Sequence, residues 1–200
     1  MLSDVAIREV LSHEDAAERL VVCPLLDPRQ VGTASIDLRL GTEFMEVQRA
    51  QQGVLDPYSA HGEHRFNVAF GNELIIHPGQ FLLGSTLEYL RVPRRLAGQV
   101  LNRSSWARNG LLVATAVTVH PGFTGALTLE LVNSGTVPLK LVTGTRICQL
   151  VLWELDQETS QPYPEFAKYD TPLGPQPSRL SREGEEQARI IAVGRQLQGQ

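Results

Sequence analysis

Short runs of β-branched and large apolar residues, cut by Pro-Gly, Ser-Gly and Thr-Gly turn signals, fill most of this 200-residue chain. They are ELIIH before Pro78-Gly79, QFLLGSTLEYLRV before Pro93, AGQVLN, LLVATAVTV before Pro121-Gly122, ALTLELVN before Ser134-Gly135, VPLKLV before Thr143-Gly144, and RICQLVLWEL. Upstream, SIDLRLGTEFMEV alternates Ile36, Leu38 and Leu40 against Asp37 and Arg39, the period of a half-buried strand ending at Gly41. Strands at this spacing, with no helical pattern between them, leave an all-β sandwich or barrel as the architecture. The margins differ. Ser3 to Leu20 has a capping serine and a partial helical stripe, and predicts a helix. The polar stretch from Arg49 to His64 predicts a loop or irregular hairpin. Beyond Leu155 the chain turns polar and Pro-rich, so residues 156–200 predict an extended C-terminal arm, with a terminal helix in SREGEEQARIIAVGRQLQGQ. One domain over 1–200 is the expectation for this length.

Composition removes several classes of function. Apolar residues at 42% are enough for a sizeable core. A net charge of −4 and a pI near 5.7 argue against a nucleic-acid binder, which needs a basic face. Two distant cysteines, Cys23 and Cys148, fit a reducing cytoplasm better than a disulfide scaffold. Asp4, Arg8 and Glu9 interrupt the apolar N-terminus, which is not expected to be a signal peptide. No run approaches the roughly 18 apolar residues of a membrane span. The five histidines are scattered, so neither zinc nor another protein-held metal is expected.

Chemistry concentrates between Arg103 and Asn133. Glu130 stands in ALTLELVN, where Leu127, Leu129 and Leu131 share one face and Thr128, Glu130 and Val132 the other. A carboxylate partly withdrawn from water has a raised pKa, which suits a proton shuttle near neutrality. The plainer reading is an exposed strand residue paired with a lysine. RSSWARNG brings Arg103, Ser104, Ser105 and Arg108 within six positions, and guanidinium forks with hydroxyls match phosphate oxygens. The alternative is a solvated loop. In the turn His120-Pro121-Gly122-Phe123, the phenyl ring suits stacking on a base or sugar, and His120 is a ligand donor or a turn histidine.

Together these residues resemble the dCTP deaminase and dUTPase superfamily, and within it the dCTP deaminase branch. The likeness runs from about Leu26 to Leu180 through SIDLRLGTEF, HPGQFLLGSTLEYLRVP, the block from Arg103 to Asn133, GTRICQLVLWEL and KYDTPLGPQPSRL. It implies a mainly β, distorted jelly-roll barrel of the dUTPase-like type with a short N-terminal helix. It also implies a homotrimer with active sites between subunits, and a triphosphate ligand carrying Mg²⁺. By this resemblance Glu130 is the catalytic proton shuttle, Ser104 orients the attacking water, and Arg108 reaches the site from an adjoining subunit. Arg103 and Ser105 fall where phosphates bind. Ala116 lies against base and water, and Phe123 against the deoxyribose. Tyr163 and Lys168 belong to the arm, which is expected to close over base and phosphates as a mobile lid. The chain departs from the pattern at Thr118, His120 and Pro172, where arginine, aspartate and glutamine are common; Thr118 and His120 stay in the expected substrate-binding set.

The resemblance implies a hydrolase acting on a cyclic amidine C–N bond, most simply dCTP to dUTP plus ammonia. Two alternatives stay open: a dUTP pyrophosphatase or bifunctional deaminase-pyrophosphatase, and a non-catalytic nucleotide-binding protein.

Overall fold

A computed structural model describes residues 1–47, 53–59, 62–114, 118–161, 163 and 171–198. It contains two compact units, one built from Met1–Glu46 with Arg65–Gln176, the other from Val47–His64 with Pro177–Gln200. In chain order the strands are β1 (Val21–Cys23), β2 (Ile36–Val47), β3 (Glu63–Asn67), β4 (Glu73–Ile76), β5 (Phe81–Arg91) and β6 (Leu96–Asn102). After them come β7 (Leu111–Ala114), β8 (Thr118–Val119), β9 (Thr124–Asn133), β10 (Leu139–Val142) and β11 (Arg146–Glu154). The helices are α1 (Asp4–Leu11), α2 (Ser104–Ala107) and α3 (Gly184–Gln198).

The main sheet runs β7-β9-β5-β2-β11-β6-β8, with β1 on β5 and β3 on β2; β10 and β4 pair separately. Laid flat, seven strands would put β7 and β8 about 29 Å apart at the usual interstrand spacing. Yet Ala114 ends β7 and Thr118 begins β8, a stretch of chain that reaches at most about 14 Å. The sheet must therefore curl until its two ends approach. This is the barrel-like β architecture expected from the strand pattern.

The core lies inside the curl. Leu127, Leu129 and Leu131 of β9 meet Ile36, Leu38 and Leu40 of β2 and Leu150 and Leu152 of β11 in one apolar cluster. Each such side chain contributes about 1.5–3 kcal/mol on burial. Ile7 and Val10 of α1 join the same cluster.

Three boundaries differ from the sequence expectation. β2 does not stop at Gly41 but continues to Val47 through an irregularity between Leu40 and Phe44. Gly41 lies so close to β5 that an added Cβ would sit 2.9 Å from the Ser85 carbonyl oxygen, so the glycine permits a crossing rather than ending a strand. α1 ends at Leu11 instead of Leu20. Ser12 Oγ takes the Arg8 carbonyl at 2.8 Å, and the Asp15 carboxylate accepts from Ala17 N at 2.8 Å, so side chains satisfy the backbone locally in place of helix bonds. Finally, the loop expected up to His64 yields to β3 at Glu63.

In the second unit, α3 carries Glu185 and Glu186 in its first turn and Arg195 in its last, the charge order that complements a helix dipole. Among the described residues no helix is long and apolar enough to cross a membrane.

Candidate active site

β2 was expected to be half-buried, but it is a central strand with both faces largely covered. Its polar phase is absorbed by a network. Asp37, 7% exposed, receives Gln149 Nε2 at 3.1 Å and Arg146 Nη1 at 3.2 Å, and Arg103 Nε lies 3.5 Å from its Oδ1. Gln149 is the register partner of Asp37 across β2 and β11, so the contact follows from the ladder. Arg103 also donates through Nη1 to the Arg146 carbonyl at 3.3 Å, and the Trp106 indole donates to that same oxygen at 2.8 Å. These contacts fix α2 against the end of β11 and hold Arg103 in place.

The remaining polar groups of α2 are uncommitted. Ser104, Ser105 and Arg108 are exposed, and their side chains make no hydrogen bond to any described residue. Three hydrogen-bonding side chains thus stand beside a fixed guanidinium, a grouping suited to anionic oxygens and to a held water.

Glu130 lies in β9 between β5 and β7, opposite Leu83 on one side and Ala114 on the other. Its carboxylate is half-buried, and desolvation raises its pKa above the ordinary carboxylate range. No described residue bonds or ion-pairs with it, so the lysine-paired reading finds no partner there. Glu130 is three ladder steps from the Leu111–Asn133 pair where β7 leaves α2, roughly 10 Å along the strand.

At the far end of β9, His120 and Phe123 flank a turn. The Tyr163 ring is parallel to His120, with centroids 5.3 Å apart, and tilted over Phe123 at 5.7 Å. Tyr163 N donates to the Pro121 carbonyl at 3.0 Å. Thr118 is exposed on β8, opposite Gln99. Ala116 and Lys168 lie outside the described residues. The arm then returns along β9: Ala126 N donates to the Pro172 carbonyl at 2.7 Å, and Gln176 N to Thr128 Oγ1 at 3.1 Å. Thr128 alternates onto the same side of β9 as Glu130.

One chain therefore presents three groups in sequence along the β7–β9 region: α2, Glu130, and the His120–Phe123–Tyr163 rings. Sequence reasoning missed Asp37, Arg146 and Gln149, which hold Arg103. Their signal was a polar residue inside each of two otherwise apolar strands, SIDLRL and RICQLVL. It also missed Glu88, which is fully buried beneath this network.

The curled sheet has the fold of a solved deaminase structure. A crystal structure of 2′-deoxycytidine 5′-triphosphate deaminase from Agrobacterium tumefaciens matches with a TM-score of 0.58 at 23% identity, covering 76% of this chain and 47% of that one. The profile of the dCTP deaminase-like family matches residues 1–155. A dCTP deaminase from Natronomonas pharaonis is 42% identical over 193 residues, 92% of this chain and 97% of the relative. A protein from Halobacterium salinarum named dCTP deaminase, dUMP-forming, is 41% identical over 184 residues, 86% of this chain and 94% of its own. The chain belongs to the dCTP deaminase-like family.

Proposed function

We propose that this protein is a hydrolytic deaminase that converts dCTP and water to dUTP and ammonia, in a site shared between subunits of a homotrimer. The observation that carries the reading is Glu130: a half-buried carboxylate with a raised pKa and no described partner, on a strand of a dCTP deaminase-like chain. Such a group takes a proton from water as it adds to C4, delivers it to N3, and then transfers a proton to the departing amino group. The C4–O bond forms, the C4–N bond breaks, and ammonia leaves. Ser104 and the Ala116 backbone hold the water. Arg108 approaches from the adjoining subunit, which accounts for its exposure at the end of α2, outside the β7–β9 ladder that carries Glu130.

Arg103, Ser105 and Lys168 take the phosphates, Phe123 and Tyr163 wall the sugar and base, and Thr118 offers a hydroxyl from β8. Mg²⁺ fits as an ion carried by the triphosphate. The Asp37 carboxylate beside Arg103 is already engaged by Arg146 and Gln149, so phosphate oxygens and water are the donors the ion would find. Its contribution when bound is to balance phosphate charge that arginines neutralise incompletely.

A second reading has a specific observation behind it. Relatives from Halobacterium salinarum and Dictyoglomus thermophilum are named dUMP-forming, which points to release of pyrophosphate as well. Incubation with dCTP, dCMP and dUTP, followed by chromatography of nucleotides and assay of ammonia, separates the two. Ammonia with dUTP supports the deaminase alone; ammonia with dUMP supports the bifunctional form; unchanged dCTP sinks both.

A further inference from the structure

The residues His120-Pro121-Gly122-Phe123 form a type II β-turn. Proline occupies the second position, Gly122 has φ 81° at the third, and Phe123 N donates to the His120 carbonyl at 3.0 Å. Closing the turn sets the side chains of its first and fourth residues side by side. The turn is itself fixed, because Gly122 N donates to the Val92 carbonyl at 3.1 Å and Val92 N to the Phe123 carbonyl at 2.8 Å. Phe123 is 6% exposed and belongs to the core.

Onto this rigid pair docks Tyr163 of the arm. It lies parallel to His120 with only 9° between the ring planes, tilts over Phe123, and is tied by its amide to Pro121. His120 is exposed, and its ring nitrogens make no hydrogen bond to any described residue. What the imidazole does contact is the face of Tyr163.

We infer that His120 is a positioning residue that acts through Tyr163. It forms the outer wall of a two-ring cradle that seats the arm against the Phe123 end of the site. The useful property of residue 120 is then a flat ring, not a proton or a hydrogen bond. The kinetic consequence rests on the deaminase reading; the docking itself does not.

The test uses the full chain in two stages. Without ligand, the Tyr163 ring-proton shifts and the exchange rate of its amide are measured in wild type, H120A, H120F and H120N. H120A and H120N are expected to lose the ring shielding and speed amide exchange, while H120F keeps both. Unchanged Tyr163 signals in H120A overturn the inference. With dCTP, H120A should raise KM about two- to tenfold, the weight of one aromatic contact, with little change in kcat. H120F should restore KM, and H120A should add nothing in a Y163A background. Rescue by H120N but not H120F would assign a hydrogen-bonding role and overturn it as well. If wild type leaves dCTP intact, the deaminase reading fails, and the ligand-free signals still decide the cradle.

Discussion

Two carboxylates of this chain are raised by the same cause and have opposite fates. Glu130 is half-buried with an open carboxylate, whereas Glu88 is fully buried with both oxygens engaged. Glu88 Oε1 accepts from Gln30 Nε2 at 2.9 Å and Oε2 from Arg39 N at 2.8 Å. Desolvation nevertheless outweighs these bonds and pushes it up to about 7. For Glu130, replacement by glutamine keeps shape but cannot cycle a proton. Turnover of dCTP should fall at least about a hundredfold while nucleotide binding persists, checked by ammonia release and calorimetry. For Glu88, the folded state holds its proton up to about pH 7, whereas the unfolded chain loses it near the ordinary value of 4.5. Folding stability therefore declines as pH rises through that window, by about 3 kcal/mol for the whole shift, and is flat above it. E88Q should be less stable below about pH 5, since its amide N–H₂ must face a donor, but the gap should close as pH rises because the fall in urea midpoint between about pH 5 and 7.5 should shrink. An unchanged pH slope in E88Q would place the linkage elsewhere. Glu130 was legible because a charge among leucines marks itself. Glu88 was not, since TLEYL reads as a solvent-facing strand position, and only its neighbours Gln30 and Arg39 explain its burial.

Elements were more legible than their ends. The apolar runs named β2, β4, β5, β6, β9, β10 and β11 correctly, because the core demands alternation and the turns are punctuated by glycine and proline. The three-residue β1 was too short to carry a period, and β3, EHRFN, is mostly exposed and polar. LLVATAVTV, read as one strand, divides between β7 and β8 at opposite ends of the sheet order, a separation set by curvature rather than by local sequence. Gly41 illustrates how one residue misleads. In a linear pattern it reads as a terminator, but it is the contact point of β2 and β5. Replacing Gly41 with alanine should cost about 1–3 kcal/mol through overpacking against the β5 backbone, seen as a lower urea midpoint with an unchanged slope. Wild-type stability in that variant would mean the strands separate freely at this crossing.

The scale of the whole assembly is where the sequence alone says least, because the groups proposed for catalysis lie on separate elements of one chain. α2 and Glu130 are separated along the β7–β9 ladder, and Ser104, Ser105 and Arg108 face outward. The proposed trimer would supply that proximity by bringing α2 of one subunit to Glu130 of the next. Sedimentation equilibrium should accordingly give about three times the 22.1 kDa chain mass at micromolar concentration, as closed cyclic symmetry requires. A monomer at that concentration would leave the site incomplete. The sharpest measurement joins assembly to chemistry. E130Q and R108A chains, each inactive alone, are co-expressed in equal amounts with different tags, purified through both tags, and assayed for ammonia from dCTP. A site built from Glu130 of one subunit and Arg108 of its neighbour restores activity in the doubly purified mixed trimers, to about a third of the wild-type sites, since each mixed ring holds one intact pair. Mixed trimers as inactive as their parents would contradict a shared site, and with it the account of how this chain deaminates dCTP.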